Sequence, residues 1–272
     1  MCIRDRLHIG AQIVLFSALR LINNGRLMMI SINNVTKKFG KEKVAVKKAS
    51  WMVPDGAITG FIGPNGAGKT TTLKMITGVL KPDSGQILIN NTDIVKDPVK
   101  AKEQFGFVSD TPDHFLRLKG IEYLNFMGDA YNVPSNDRKL FINCYAKRFG
   151  IEASLGDKIL SYSHGMRQKI MIMGALIHGP SVWILDEPMT GLDPQASHEL
   201  KLMMKEHAAS GRSVLFSTHV LEVAEKLCDN VVIIRKGEIK FLGTRDELKA
   251  QFPAETSLET IFLELTGDGK DN

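Results

Sequence analysis

The stretch Gly63-Pro64-Asn65-Gly66-Ala67-Gly68-Lys69-Thr70-Thr71 follows the spacing Gly-x-x-x-x-Gly-Lys-Ser/Thr, and the chemistry of that spacing is phosphate binding. Glycines there let successive backbone N–H groups turn toward one anion, and the positive end of a following helix adds to their pull. Lys69 would reach the outer phosphates of a nucleoside triphosphate, and the Thr70 hydroxyl suits Mg²⁺. The flanks are those the pattern needs. Ala57 to Ile62 reads as a short buried strand, and Thr71 to Leu80 as a helix with Leu73, Ile76 and Leu80 on one face.

A second constellation is Val182-Trp183-Ile184-Leu185-Asp186-Glu187, four apolar residues ending in two carboxylates. A buried strand that delivers an acid at its C-terminal end can hold Mg²⁺ beside a phosphate loop, which assigns Asp186 to the metal. Side-chain alternation along a strand would send Glu187 elsewhere, where a carboxylate suits a general base that deprotonates water.

The elements that must position these groups follow from pattern. Strand signals fall at Ile30–Ile32, Val44–Val46, Ala49–Val53, Gln86–Asn90, Gly106–Ser109, Val182–Leu185, Ser213–Ser217 and Val231–Ile234. The later runs, flanked by helical patterns, predict parallel strands of an α/β sheet. From about Leu116 to Ser161 the pattern is helical without a strand signal, which predicts a separate helical subdomain.

Composition sets bounds. The 272 residues carry a formal net charge of +5. Arg4, Arg6, Arg20 and Arg26 against Asp5 put +3 of it into residues 1–27. The rest has no basic footprint, so nucleic acid is not an expected partner. Cys2, Cys144 and Cys228 lie far apart without metal or disulfide spacing. No run of about 18 apolar residues predicts a membrane-spanning helix. Residues 1–27 carry two arginines before an apolar stretch, as a signal peptide does. A surface anchor is a second reading, and a mis-assigned start with translation beginning at Met28 or Met29 is the one we favour.

With these motifs in order, residues 28–266 resemble the nucleotide-binding subunits of ATP-binding cassette (ABC) transporters. Gly63 to Thr70 matches that family's Walker A loop, Ile184 to Pro188 its Walker B strand, Thr190 to Pro194 its D-loop, and Ser217-Thr218-His219 its switch histidine. Tyr162 to Gln168 occupies the signature position, with Tyr162, His164 and Met166 where the family usually has Leu, Gly and Gln. Asp110 stands where the family commonly has a glutamine, which leaves open a metal-ligating role or a plain turn residue.

The resemblance implies a RecA-like P-loop core with a small antiparallel β subdomain and an inserted α-helical subdomain at about 111–165, then a flexible tail at 267–272. It implies ATP and Mg²⁺ as cofactors, and Glu187, His219 and Lys69 as catalytic groups. The nucleotide would be bound by Phe39, Gly63, Pro64, Asn65, Gly66, Ala67, Gly68, Lys69, Thr70 and Thr71, and across a dimer by Ser163, Gly165 and Asp193. Thr70, Asp186 and Asp110 would serve the metal. Phe39 reads first as a stacking residue for adenine and second as core, Ser163 also as a helix N-cap, and His164 as a solvated loop residue.

The partners implied are a membrane permease and a second copy of the chain at the cytoplasmic face of the membrane. The signature and the terminal Ser257 to Thr266 look most like bacterial exporters of the antibiotic and multidrug type. An importer ATPase, a soluble ABC ATPase acting on ribosomes or nucleic acid, and a nucleotide-binding regulator without turnover are the rival readings.

Overall fold

The computed structural model describes residues 28–40, 43–252 and 260–262. The readings of residues 1–27 and 267–272, and most of the terminal Ser257–Thr266 motif, lie outside them. Two sheets frame the molecule. The first is antiparallel, in the order β2-β1-β4-β5, from β1 (Met28–Phe39), β2 (Lys43–Pro54), β4 (Ser84–Ile89) and β5 (Thr92–Asp93). The second runs β10-β9-β3-β8-β7-β6 and contains β3 (Ile58–Ile62), β6 (Phe105–Val108), β7 (Val182–Leu185), β8 (Ser213–Thr218), β9 (Asn230–Arg235) and β10 (Glu238–Thr244). Its strands are parallel from β9 to β6, and β10 closes one edge antiparallel to β9.

Period-2 alternation sorts the second sheet's side chains into two cores. Val182 and Ile184 face the first sheet, joined there by Phe61, Leu215, Val232 and Ile234. Trp51 of β2 stacks on Phe61 at 5.0 Å between ring centroids and ties the sheets together. Leu73, Met75 and Ile76 of helix α1 (Lys69–Ile76) complete that core. Trp183 and Leu185 point the other way, toward α3 (Gly120–Ala130), α4 (Ser135–Phe149), α5 (His164–Leu176) and α6 (Pro194–Ala209). The short helices α2 (Pro98–Lys102), α7 (Leu221–Leu227) and α8 (Arg245–Ala250) lie between strands or at the chain's later turns. Both faces of the parallel sheet are therefore buried, and the site falls to its C-terminal edge.

Several boundaries differ from the sequence reading. The helix after the phosphate loop starts at Lys69 and stops at Ile76, because Gly78 turns left-handed with φ +67; Leu80 packs on the core from a turn instead. The first two strands are each 12 residues long. Asn34 and Lys48 at positive φ, together with bulges, break their hydrophobic alternation. The expected helical stretch holds α3, α4 and two 3₁₀ turns.

On the helical side His207 is buried beneath Trp183, and His178 stacks on Tyr131 at 3.8 Å. Burial pushes both imidazoles down to about 4, with the Arg212 charge adding to the effect at His207. Unfolded, both titrate near 6.5. Between pH 6.5 and 4 the unfolded chain thus takes up protons that the folded chain refuses, and stability falls as pH drops through that window. The melting temperature is expected to fall by on the order of 5 °C from pH 7 to pH 5, measured by scanning calorimetry. His207→Gln should flatten the profile; an unchanged slope in that variant would contradict the assignment.

Candidate nucleotide-binding site

The phosphate loop leaves β3 at Ile62 and closes on α1. Gly68 sits at φ +113, where a Cβ would lie 2.6 Å from the Ala45 carbonyl oxygen, so only glycine fits. Ala67 is buried, with its N–H on the Pro64 carbonyl at 3.1 Å. Lys69 is nearly buried, and its ammonium donates to the carbonyls of Gly63 at 2.6 Å and Pro64 at 3.3 Å. It also meets Glu187 Oε1 at 3.3 Å. Those oxygens are the kind of acceptors that phosphate oxygens would replace.

The two carboxylates come from the end of β7. Asp186 is fully buried, and its N–H still bonds the Val108 carbonyl of β6 at 2.9 Å. Strand geometry then ends: Glu187 is left-handed at φ +46. Glu187 does point to partners other than those of Asp186, as expected, but this turn and not strand alternation sends it there. The turn aims its Oε1 at Lys69 and its Oε2 at His219 Nδ1, 3.0 Å away. Ser217 Oγ, from β8, donates to Asp186 Oδ1 at 2.5 Å and accepts the Glu187 N–H at 2.9 Å.

The metal question rests on Asp186. Burial raises its carboxyl above the usual carboxylate range; the hydroxyls of Ser217 and Thr70 pull it down, while the charges of Asp110 and Glu187 add to the rise. Its Oδ2 is buried without a protein hydrogen bond. A buried oxygen with unsatisfied acceptor capacity, beside a hydroxyl and a second carboxylate, fits a hard cation that takes its other ligands from phosphate and water. Among the described residues no group of three or more His, Cys, Asp or Glu forms an all-protein metal cage, and Mg²⁺ at a phosphate does not need one.

A cavity of about 360 Å³ opens over the loop. Its walls include Pro64, Asn65, Gly66, Gly68, Lys69, Thr70 and Thr71, together with Asp110, Glu187 and Phe39. Phe39 ends β1 with its ring 43% exposed, which favours the stacking reading over the core reading. Removing the ring is expected to weaken ATP binding about 5- to 100-fold, since stacking of a base on an aromatic contributes about 1–3 kcal/mol. Titration of Phe39→Ala with a fluorescent ATP analogue checks this, and an unchanged affinity would return Phe39 to the fold. A second cavity, of about 420 Å³, lies against α4 and α6 and shares no residue with the first.

Ser163, Gly165 and Asp193 do not line the nucleotide cavity. Ser163 caps α5, its Oγ accepting the Met166 N–H at 3.2 Å. Asp193 caps α6 through the Ala196 N–H at 2.7 Å and pairs with Lys169 of α5 at 3.2 Å. Gly191, at φ +76, lies under the exposed His164 ring, where a Cβ would collide. The signature and D-loop thus form one joined surface. Two departures from the usual signature are explained by packing: Tyr162 is buried with its hydroxyl on the Ser154 carbonyl at 2.6 Å, and Met166 packs on the helical core.

Sequence reasoning missed Ser217 as a contact of both acids. It also missed Lys43, Val44, Ala45, Lys236 and Gly237 in the cavity wall. Lys236-Gly237, both at positive φ, is the turn between β9 and β10, and its Lys-Gly pair before a second apolar run was the available signal.

A phosphate loop between a parallel strand and a helix, with a buried acid delivered by another parallel strand, defines a P-loop nucleoside triphosphatase. Residues 46–190 match the ABC transporter family model. The chain is 35% identical over 241 residues to the ABC-type transporter ATP-binding protein EcsA of Bacillus subtilis, covering 88% of this chain and 97% of that protein. It is 34% identical to the linearmycin resistance ATP-binding protein LnrL of the same organism, over 85% of this chain and 74% of that one. Among solved structures, an ATP-binding subunit of an ABC transporter superposes with a TM-score of 0.83 at 33% identity, covering 88% of this chain and 99% of that chain. The dimeric bacterial ABC transporter cassette MJ0796 superposes with a TM-score of 0.73 at 25% identity, covering 79% and 98%. The chain belongs to the ABC transporter family: it is an ATP-binding subunit, and the family's cassettes are ATPases.

Proposed function

We propose that this chain hydrolyses ATP in a head-to-tail dimer of identical subunits and thereby drives a separate membrane permease, in the direction of export. The observation that carries the catalytic part is that Glu187, in the cavity wall with Lys69, meets Lys69 through one carboxylate oxygen and His219 through the other. Arriving phosphates would draw Lys69 from the Gly63 and Pro64 carbonyls and from Glu187. The freed Glu187 would take a proton from the attacking water, with His219 holding its other oxygen in place. Loop amides and the N-terminus of α1 would stabilise charge on the phosphoryl oxygens. Thr70 and Asp186, with Asp110 beside them, would hold Mg²⁺, which when bound neutralises charge on the outer phosphates.

Ser163 and Gly165 at the start of α5 would complete the partner's site, and Asp193 would lie at the same seam. The joining of signature and D-loop into one surface that does not line the chain's own cavity supports that reading. No helix among the described residues is long and apolar enough to cross a membrane, so the translocation path would belong to another chain and this one would sit at the cytoplasmic face. Resemblance to the linearmycin resistance protein supports export. Affinity purification of the tagged chain from detergent-solubilised membranes tests it. A polytopic membrane protein in stoichiometric amount is expected; ribosomal proteins or nucleic acid in its place would refute the permease.

A further inference from the structure

We propose that Ser217 is a positioning residue that binds the metal carboxylate and the general base into one unit. The inference rests on the site roles proposed above and adds a residue to them. Ser217 is fully buried near the end of β8. Its hydroxyl has one proton to donate. That proton goes to Asp186 Oδ1 at 2.5 Å, and an oxygen lone pair accepts the Glu187 N–H at 2.9 Å.

Each bond has a separate consequence. By occupying Oδ1, Ser217 fixes the carboxylate plane and leaves Oδ2 as the oxygen without a protein hydrogen bond, the one available to a cation. By accepting the Glu187 N–H, it supplies a partner to an amide whose strand ended at Leu185. It also holds that residue at φ +46, a conformation that costs a non-glycine residue energy. The Glu187 carbonyl, which accepts the Thr190 N–H at 3.2 Å, braces the same turn from its other end. Two residues further on, His219 Nδ1 meets Glu187 Oε2. The end of β8 therefore grips Asp186 once and Glu187 twice, so the metal position and the base cannot move independently. A residue without a hydroxyl at 217 would leave a buried carboxylate oxygen and a part-buried amide both unpaired.

The test uses Ser217→Cys, which nearly keeps the side-chain volume but offers a weak donor and a weak acceptor, alongside Ser217→Ala. Three quantities are compared with wild type: kcat for Mg-ATP, affinity for Mn²⁺ by electron paramagnetic resonance with a non-hydrolysable ATP analogue, and affinity for a fluorescent ATP analogue in EDTA. Groups that orient metal ligands typically contribute about 10- to 100-fold to metal affinity or activity. Both variants should therefore lose about that much in kcat and about tenfold in Mn²⁺ affinity, with metal-free nucleotide affinity within about twofold of wild type. Wild-type kcat and Mn²⁺ affinity in Ser217→Cys would overturn the inference. So would a parallel loss of metal-free nucleotide affinity and melting temperature, which is the mark of packing alone. A wild-type chain that does not turn over would instead refute the proposed function, and the Mn²⁺ comparison does not depend on turnover.

Discussion

Lys69→Met should lower the affinity for Mg-ATP by about 100-fold or more while leaving the melting temperature of the nucleotide-free chain within a few degrees. The size follows from what the ammonium does. A hydrogen bond to a charged group contributes about 1.5–3 kcal/mol net, and the upper end of that range is about two decades in affinity. The loss is compounded at Glu187, whose Oε1 would keep its negative charge beside the arriving phosphates with no cation between them. Methionine preserves the apolar stem, so the packing of Lys69, only 6% exposed, survives. Isothermal titration calorimetry reads the outcome. An affinity within about threefold of wild type would mean that the loop amides alone hold the triphosphate.

Glu187→Gln should separate binding from turnover. Loss of a positioned general base lowers the rate by about 10²–10⁴-fold, and phosphate release should fall accordingly. ATP affinity should hold or rise, because Lys69 no longer has to leave an ion pair when phosphate arrives. The amide keeps the side chain's shape and one oxygen, so the left-handed turn at 187 and its bond to Ser217 stay intact. Hydrolysis at more than a tenth of the wild-type rate would remove Glu187 from the base role.

Much of this was legible in the sequence because the chemistry is local to the chain. The glycine loop, Lys69 and Thr70 are consecutive, and the parallel strands announce themselves as short apolar runs at Val182–Leu185, Ser213–Ser217 and Val231–Ile234. β10 was not legible, although the Lys236-Gly237 turn before it carried a signal. The run Glu238–Thr244 alternates weakly and gains its meaning by pairing with β9. Glu187 takes its direction from a left-handed turn beyond the end of β7, and such a turn leaves no alternation to read. Ser217 was quoted only as part of a motif: its importance arises from β7 and β8 lying side by side, which brings residues 30 and 31 positions apart into hydrogen-bond contact. Contacts of that kind leave no periodic trace in one sequence.

The separation of Ser163, Gly165 and Asp193 from the cavity of their own chain makes a definite demand: if they serve ATP, they serve a second copy's. Sedimentation velocity on Glu187→Gln measures this directly, with Mg-ATP compared to Mg-ADP at the same protein concentration. The account predicts a species of twice the mass in Mg-ATP and a single chain in Mg-ADP. A chain that stays single in saturating Mg-ATP, while calorimetry shows the nucleotide bound, would contradict the shared site.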